Sequence, residues 1–443
     1  MLPSPTVNAD FELALRLDRL VAHAAALARP VASLTPDNAA VERARLVACL
    51  EGGALPVPAF AVARPRIDSA AYRAIDAARS LAGACWFGAL YEERLHELEL
   101  DLAILDAWGD PKRVRPLSAR RYGRGSELVR TQAVASAGHE SVLRSRAEEP
   151  RASTLRSRAE EPRASTERPL SHVARSLLAT LPQQQSDPAT LRPDGDRREG
   201  RTVASYIRAA ALGVGLDVEV KVEPRLASLA ATGERTVFLA DRSFSVREAR
   251  RLTAHEVFGH LVVAANARAQ PLRLLQIGLA GSFADQEGLA LYLEEALGLM
   301  CSERLRTLAA RVVATVQLYD GASFGETART LVRDHGFGAA AAISIAERTF
   351  RGGGVARDAG YLAGFLRIRA AIAAGTTQVD ELRRGRVSLA SLEPLRELES
   401  TGLVHVACYR PSLALSRRLT FGGTRADTSP PSDAASLTML ELT

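Results

Sequence analysis

The sequence predicts a predominantly helical α+β fold, and three observations carry that reading. Apolar residues recur at three- and four-residue spacing from about Asp10 to Asp106. Leu216, Val218, Val220 and Val222 alternate with Asp217, Glu219 and Lys221, the period of a half-buried strand. Ser245 is followed three residues later by Glu248, the signature of a capped helix start, and the helix it opens carries two histidines around a glutamate.

In chain order, Phe11, Leu13, Leu15 and Leu20 open the first helix, and Ala71 to Ala107 repeats the helical spacing. Pro56, Pro58 and Pro65 punctuate a linker between them. Between Trp108 and Thr202 the composition turns to Arg, Ser, Glu, Gln and Pro, and the segment LRSRAEEPRAST at 143–154 recurs letter for letter at 155–166. Two short copies cannot build a solenoid, so residues 108–202 are expected to be a disordered, low-complexity insertion. Order returns with a helix at Tyr206 to Leu212, the strand at 216–222, a second strand at Thr236 to Ala240, and the capped helix from Ser245. Further helices are expected to about Leu398. This divides the chain into a helical N-terminal region (1–107), the insertion (108–202), a main domain (203–421) and a flexible tail (422–443).

At 443 residues and 47% hydrophobic, the chain can bury a large core. Its net charge of +6 is spread out and is almost all arginine, Lys112 and Lys221 being the two lysines. No basic stripe with interleaved aromatics stands out, so no nucleic-acid partner is expected. Cys49, Cys85, Cys301 and Cys408 form no CxxC pair and are expected as buried thiols. No basic, apolar leader opens the sequence and no stretch is apolar for the ~18 residues of a membrane span. A cytoplasmic location without membrane association is the default.

The informative helix reads Ala254-His255-Glu256-Val257-Phe258-Gly259-His260. Histidines four apart share one helix face and hold zinc while the glutamate acts on water. Here they are five apart, about 140° around an ideal α-helix, too far for both rings to reach one ion. A π-bulge absorbs one extra residue, and Gly259 would ease the deformation. The ordinary alternative is two helix histidines satisfied by carbonyls or solvent. An open zinc site needs a third protein ligand. The helix starting near Ser282 offers Glu287, with Glu294 and Glu295 as fallbacks that read as outer-face charges.

These two segments resemble a known family, the proteins named for a QEGLA motif paired with an upstream HExxxH. Gln286-Glu287-Gly288-Leu289-Ala290 matches the motif, and Gln270-Pro271-Leu272-Arg273-Leu274-Leu275 with Gly278-Leu279-Ala280-Gly281 also looks like the family. The likeness runs from about Leu81 to Leu415, and eukaryotic relatives include the microtubule-associated tubulin-tyrosine carboxypeptidases. The resemblance implies a zincin-like metallopeptidase core with a small sheet, in which His255, His260 and Glu287 bind zinc and Glu256 is the catalytic base. Two positions depart from the pattern: Phe258 stands where relatives have a small residue, and Arg357-Asp358 replaces a Lys-Asp pair after Phe350-Arg351-Gly352-Gly353.

Zinc-assisted peptide hydrolysis would also need a donor for the oxyanion, for which Tyr361 is the first choice and His335 the second. Tyr361 could equally be packed core. Removal of a C-terminal residue needs a partner for the substrate's free carboxylate, and Arg351 and Arg357, flanking the glycine turn, are the arginines expected to supply it. The strand Thr236 to Ala240 could line the cleft as an exposed edge. The expected activity is that of a zinc metallocarboxypeptidase acting on peptide or protein C-termini. The alternatives are a non-catalytic regulator with the same fold and a zinc endopeptidase or amidase.

Overall fold

The computed structural model describes residues 5–29, 36–131, 166–183, 187–195, 201–224, 226 and 228–421. Among these it is predominantly helical with two small sheets.

The N-terminal region forms α1 (Pro5–Leu27), α2 (Ala39–Glu51), α3 (Ser69–Ala82) and α4 (Gly88–Asp106). The proline-marked linker separates α2 from α3, and the Asp68 side chain caps α3 by accepting from the Ala70 amide. Leu17 and Val21 of α1 pack with Ile75 and Ala78 of α3 and with Leu95 and Leu98 of α4.

The stretch 108–202 corrects the sequence reading. It contains α5 (Pro111–Tyr122), an antiparallel pair of strands, β1 (Leu128–Thr131) and β2 (Thr166–Pro169), and α6 (Leu170–Thr180). Asp110 caps α5 and Pro111 occupies its first turn, where a missing N–H costs nothing. In α6, Leu170, Val173, Ala174, Leu177 and Leu178 are buried, an apolar stripe at helical spacing. The polar composition of the stretch as a whole masks this short stripe. The repeat lies outside the described residues except for its last residue, Thr166, as does the tail at 422–443.

After α7 (Val203–Gly213) come β3 (Glu219–Glu223), β4 (Ala230–Thr232) and β5 (Thr236–Ala240), in the sheet order β3-β5-β4. β3 runs parallel to β5 and β4 antiparallel to it. The strand at Thr236 to Ala240 is therefore central, with Val237 and Leu239 fully buried; it has no free edge to offer, and the edge on its other side belongs to β4. The predicted alternation holds at Val220, which is buried, and fails at Val222, which is 37% exposed on the outer strand.

Ser245 and Glu248 form the expected reciprocal cap, Ser245 Oγ accepting from the Glu248 amide and Glu248 Oε2 from the Ser245 amide. The chain then runs as one continuous rod through α8 (Val246–Leu252), a π-helix (Thr253–Leu261) and α9 (Val262–Arg268). α10 (Leu274–Ile277), α11 (Ser282–Ala296), α12 (Ser302–Tyr319), α13 (Phe324–Arg333), α14 (Ala339–Phe350), a 3-10 turn (Arg351–Gly353) and α15 (Ala359–Ala373) follow. Three further helices, Val379–Leu382, Leu392–Ser400 and Leu413–Phe421, end the described chain.

Three apolar clusters lie among the described residues. The first joins α1, α3 and α4 to the three-stranded sheet and the π-helix, the second joins α2 and α6 to α12 through α15, and a small third gathers Ile104, Leu105, Ala107, Val114 and Val355. Helix α11 serves the first two, sending Leu289 and Leu293 into the first and Leu291 into the second. The four cysteines are free thiols but less enclosed than expected: Cys49, Cys85 and Cys301 are partly buried and Cys408 is exposed, and of the four Cys85 packs against the first cluster. No helix of the described residues is long and apolar enough to cross a membrane.

Candidate metal centre

The awkward five-residue spacing is accommodated by the π-helix that covers Thr253–Leu261, so the deformation extends over nine residues rather than a single bulge. Its wider turn brings residues five apart onto one face. His255 Nε2 and His260 Nε2 are 3.2 Å apart. Glu287 Oε2 from α11 lies 3.4 Å from the first and 3.6 Å from the second. One donor atom from each of the three residues falls within 4.8 Å of the others, a group that one metal ion could share.

Gly259 has a different reason from the one the sequence suggests. A Cβ there would stand 2.6 Å from Ala290 Cβ and 2.9 Å from Ala290 Cα, so this glycine lets the π-helix lie directly against α11. Gly288 does the same on the opposite side: its Cβ would meet the Gly364 carbonyl carbon at 2.3 Å, and a Cβ on Gly364 would meet the Ala284 oxygen at 1.8 Å. The residues flanking Glu287 thus each hold α11 in place. Gln286 donates to the carbonyls of Leu382 and Val387 at 3.2 and 2.8 Å, Leu289 fills the core, and Ala290 receives Gly259. Phe258 is fully buried in the first cluster, pointing away from solvent.

Glu294 corrects another expectation. Far from an outer-face charge, it is wholly buried and its Oε1 lies 2.7 Å from His255 Nδ1. Arg304 donates to both its oxygens, at 3.2 and 3.1 Å, and Arg251 stands 3.6 Å away. Burial would raise the Glu294 pKa, but the two arginines and His255 outweigh it and hold the carboxyl well below its usual range. An ionised Glu294 takes the Nδ1 proton of His255 as a hydrogen bond and leaves Nε2 as the ring's free donor atom. Seven residues separate Glu287 from Glu294, so both lie on one face of α11; that spacing is the signal by which Glu294 could have been found. Glu295 does lie outside, 3.5 Å from Arg369.

Burial would lower the His255 pKa, but hydrogen bonds to Glu287 and Glu294 and the charge of Glu256 push it up to about 9. Glu287 is driven the other way: burial opposes ionisation, yet His255 and His260 hold it well below the normal carboxylate value.

Glu256 is 4% exposed. Its Oε2 accepts a 2.8 Å hydrogen bond from the hydroxyl of Thr232, at the end of edge strand β4. Sequence pattern points to neither that strand nor this threonine.

The other side of the centre is built by α14, the 3-10 turn and α15. Tyr361 is buried, its ring edge-on to Phe283 at 5.7 Å and covered by the Arg311 guanidinium at 5.2 Å. Burial, then the nearby charge of Glu287, raise its pKa. Asp358 is paired with Arg348 through both guanidinium nitrogens and stands 3.7 Å from Arg311. Burial would raise Asp358, but the two arginines hold it well below its ordinary value. Arg357 stacks on the Phe283 ring at 4.6 Å. Arg351 is half-buried, and among the described residues its Nε and Nη2 have no hydrogen-bond partner. Desolvation, followed by repulsion from Arg348 and Arg357, depresses it to about 10, which leaves it charged at neutral pH. Tyr361 is thus within electrostatic reach of Glu287, and Arg348, Arg351 and Arg357 gather around Asp358 next to it as an arginine-rich wall. His335 is elsewhere, its charged neighbours being Asp334, Arg306 and Arg175.

Among known proteins, a family model described as microtubule-associated tyrosine carboxypeptidase matches residues 153–420. That stretch takes in Thr232, the histidine–glutamate cluster and the arginine wall; it begins well after Leu81, where the likeness read from the sequence starts. No curated protein and no solved structure matches the chain significantly. The matched stretch covers more than half of the 443 residues, and the chain belongs to the microtubule-associated tyrosine carboxypeptidase family.

Proposed function

We propose that this chain is a zinc-dependent carboxypeptidase that trims peptide or protein C-termini. The observation that carries the reading is the convergence of His255, His260 and Glu287 within 4.8 Å, with Glu256 next in the chain to the first ligand. Two imidazole nitrogens and a carboxylate oxygen suit zinc, and three protein ligands leave a coordination position for water or substrate. Glu294 supports the fit, because a ligating histidine is normally anchored by a carboxylate at its other nitrogen. A zinc ion held there would supply Lewis acidity toward water and the scissile carbonyl.

The chain's own groups do the rest. Glu256 takes a proton from the attacking water and returns it to the leaving amine, so one carboxyl serves as base and then acid. Tyr361 donates its hydroxyl proton as a hydrogen bond to the developing oxyanion; its raised pKa keeps that proton in place at neutral pH. Arg351 and Arg357 receive the substrate's terminal carboxylate. Among the described residues Arg357 lies on Phe283 with no carboxylate paired to it and Arg351 has two buried nitrogens without a partner, whereas Arg348 and Arg304 are already committed to Asp358 and Glu294. Arg357 in place of a lysine keeps the charge and offers a two-pronged donor, a better match to a carboxylate.

The decisive experiment is metal analysis of purified protein beside Glu256→Gln and His260→Ala, each offered peptides with free and with amidated C-termini. We expect stoichiometric zinc in the wild type and in Glu256→Gln, its loss in His260→Ala, and cleavage of free C-termini by the wild type only. Glu256→Gln should lower kcat by about 10²- to 10⁴-fold. Equal cleavage of amidated peptides would make the chain an endopeptidase or amidase, and zinc without cleavage would make it a non-catalytic regulator.

A further inference from the structure

We infer that Thr232 is a positioning residue that fixes the carboxylate of Glu256; the inference rests on the reading of Glu256 as the general base. Strand β4 is three residues long, Ala230-Ala231-Thr232, and packs against the π-helix on the side where Glu256 sits. The Thr232 hydroxyl lies 2.8 Å from Glu256 Oε2 and 3.4 Å from the Glu256 carbonyl oxygen. Its one proton goes to the nearer acceptor. Among the described residues, this is the only hydrogen bond the Glu256 carboxylate receives from the rest of the chain.

That matters because the last torsion of a glutamate side chain is broad and roughly two-fold, so a carboxylate without a partner has no preferred plane. A donor on Oε2 selects one orientation and leaves Oε1 as the oxygen able to accept a proton from water. Threonine suits this role, since its branched side chain has restricted rotation in a strand. The Cα pairing of Thr232 with Val237, a fully buried residue of the central strand, holds its backbone in register. Thr232 also ends the edge strand of the sheet. A peptide that adds to that edge through main-chain hydrogen bonds would be aligned by the same strand that orients the base. Substrate and base then share one reference frame, and their relative placement does not depend on a flexible loop.

The test compares Thr232→Val, which keeps the shape and removes the donor, with Thr232→Ser, which keeps the donor. For zinc-loaded protein we expect Thr232→Val to lower kcat about ten- to a hundredfold, with KM, bound zinc and melting temperature unchanged, and Thr232→Ser to return kcat close to the wild-type value. Crystal structures of the metal-free proteins give a readout independent of activity: one Glu256 carboxylate orientation in the wild type and in Thr232→Ser, and a rotated or divided one in Thr232→Val. Wild-type kcat and an unmoved carboxylate in Thr232→Val overturn the inference. So does a fall in kcat accompanied by loss of zinc or of melting temperature, which would make the role structural. Should the wild type cleave no peptide, the carboxypeptidase reading fails and the carboxylate orientations decide the role of Thr232 alone.

Discussion

The two walls of the centre use the same raw material, buried carboxylates and arginines, to opposite ends. On the histidine side every charge is matched: Glu294 is held by Arg304 and Arg251 and turns toward His255, and Glu287 faces both imidazoles. On the far side arginines outnumber acids. Arg348 and Arg311 share Asp358, while Arg351 has buried nitrogens without partners and Arg357 lies on an aromatic face. A buried guanidinium left unpaired is expensive. The first wall is thus matched within the chain; in the proposed carboxypeptidase, the surplus of the second would meet the substrate's terminal carboxylate.

The sharpest way to break this comparison is at the matched wall. Glu294→Gln keeps the size of the side chain but removes the charge that holds the His255 Nδ1 proton, and zinc affinity measured by competition with a chelator should fall about 10- to 100-fold. An unchanged affinity would mean that Glu294 serves only to neutralise Arg304 and Arg251.

Acidity probes the same wall more gently. In the metal-free chain the His255 pKa stands at about 9, above its ordinary 6.5. Protons and zinc compete for Nε2, so apparent zinc affinity should rise as pH increases toward 9, by about tenfold per pH unit for one competing proton, and level off above it. The stability of the metal-free chain should move in the other direction. A raised histidine pKa contributes stability that is fully present below about 6.5 and is lost as pH rises through about 9. Thermal melts of chelated protein across that window should show a falling melting temperature, and zinc-loaded protein should lack the trend.

The smallest expected effects lie on the open wall. Arg357→Ala and Arg351→Ala should raise KM for peptides with a free C-terminus by about tenfold, in line with loss of one charge-assisted hydrogen bond. Amidated peptides and zinc content should be unaffected. Arg357→Lys separates charge from geometry, because a lysine retains the former only. If neither alanine variant distinguishes free from amidated ends, the surplus charge has another purpose.

How far each wall can be read from the sequence follows from the range of the forces that build it. The histidine side rests on local spacing. His255 and His260 are five apart on a helix announced by the Ser245–Glu248 cap, so the need for a π-type distortion is evident from the numbering, and Glu287 opens the next long helix. Glu294 passes for a surface charge because its identity as a buried group depends on Arg304 and Arg251, which reach it from two other helices. Thr232 is invisible for a similar reason: a three-residue strand of Ala-Ala-Thr has no alternation to detect, and its meaning comes from a residue 24 positions away. The edge role expected of Thr236–Ala240 fails because a pattern of alternating burial cannot tell a middle strand from an outer one. In the stretch 108–202, average composition hides α5, which buries only Val114 and Ser118, and α6, whose buried apolar stripe is five residues. On the arginine side, the sequence offers many arginines and no local rule for ranking them.

The crossing of α11 and α15 at Gly288 and Gly364 has a consequence for how the two walls are spaced. Where helices meet through side chains, their separation can be tuned by a methyl group here or there. In this protein the main chains themselves touch, so the gap between the Glu287 carboxylate and the Tyr361 ring is set by peptide groups and admits no gradual adjustment. Even an alanine at either glycine would act as a wedge, prising the acid away from the phenol without altering a single reacting atom.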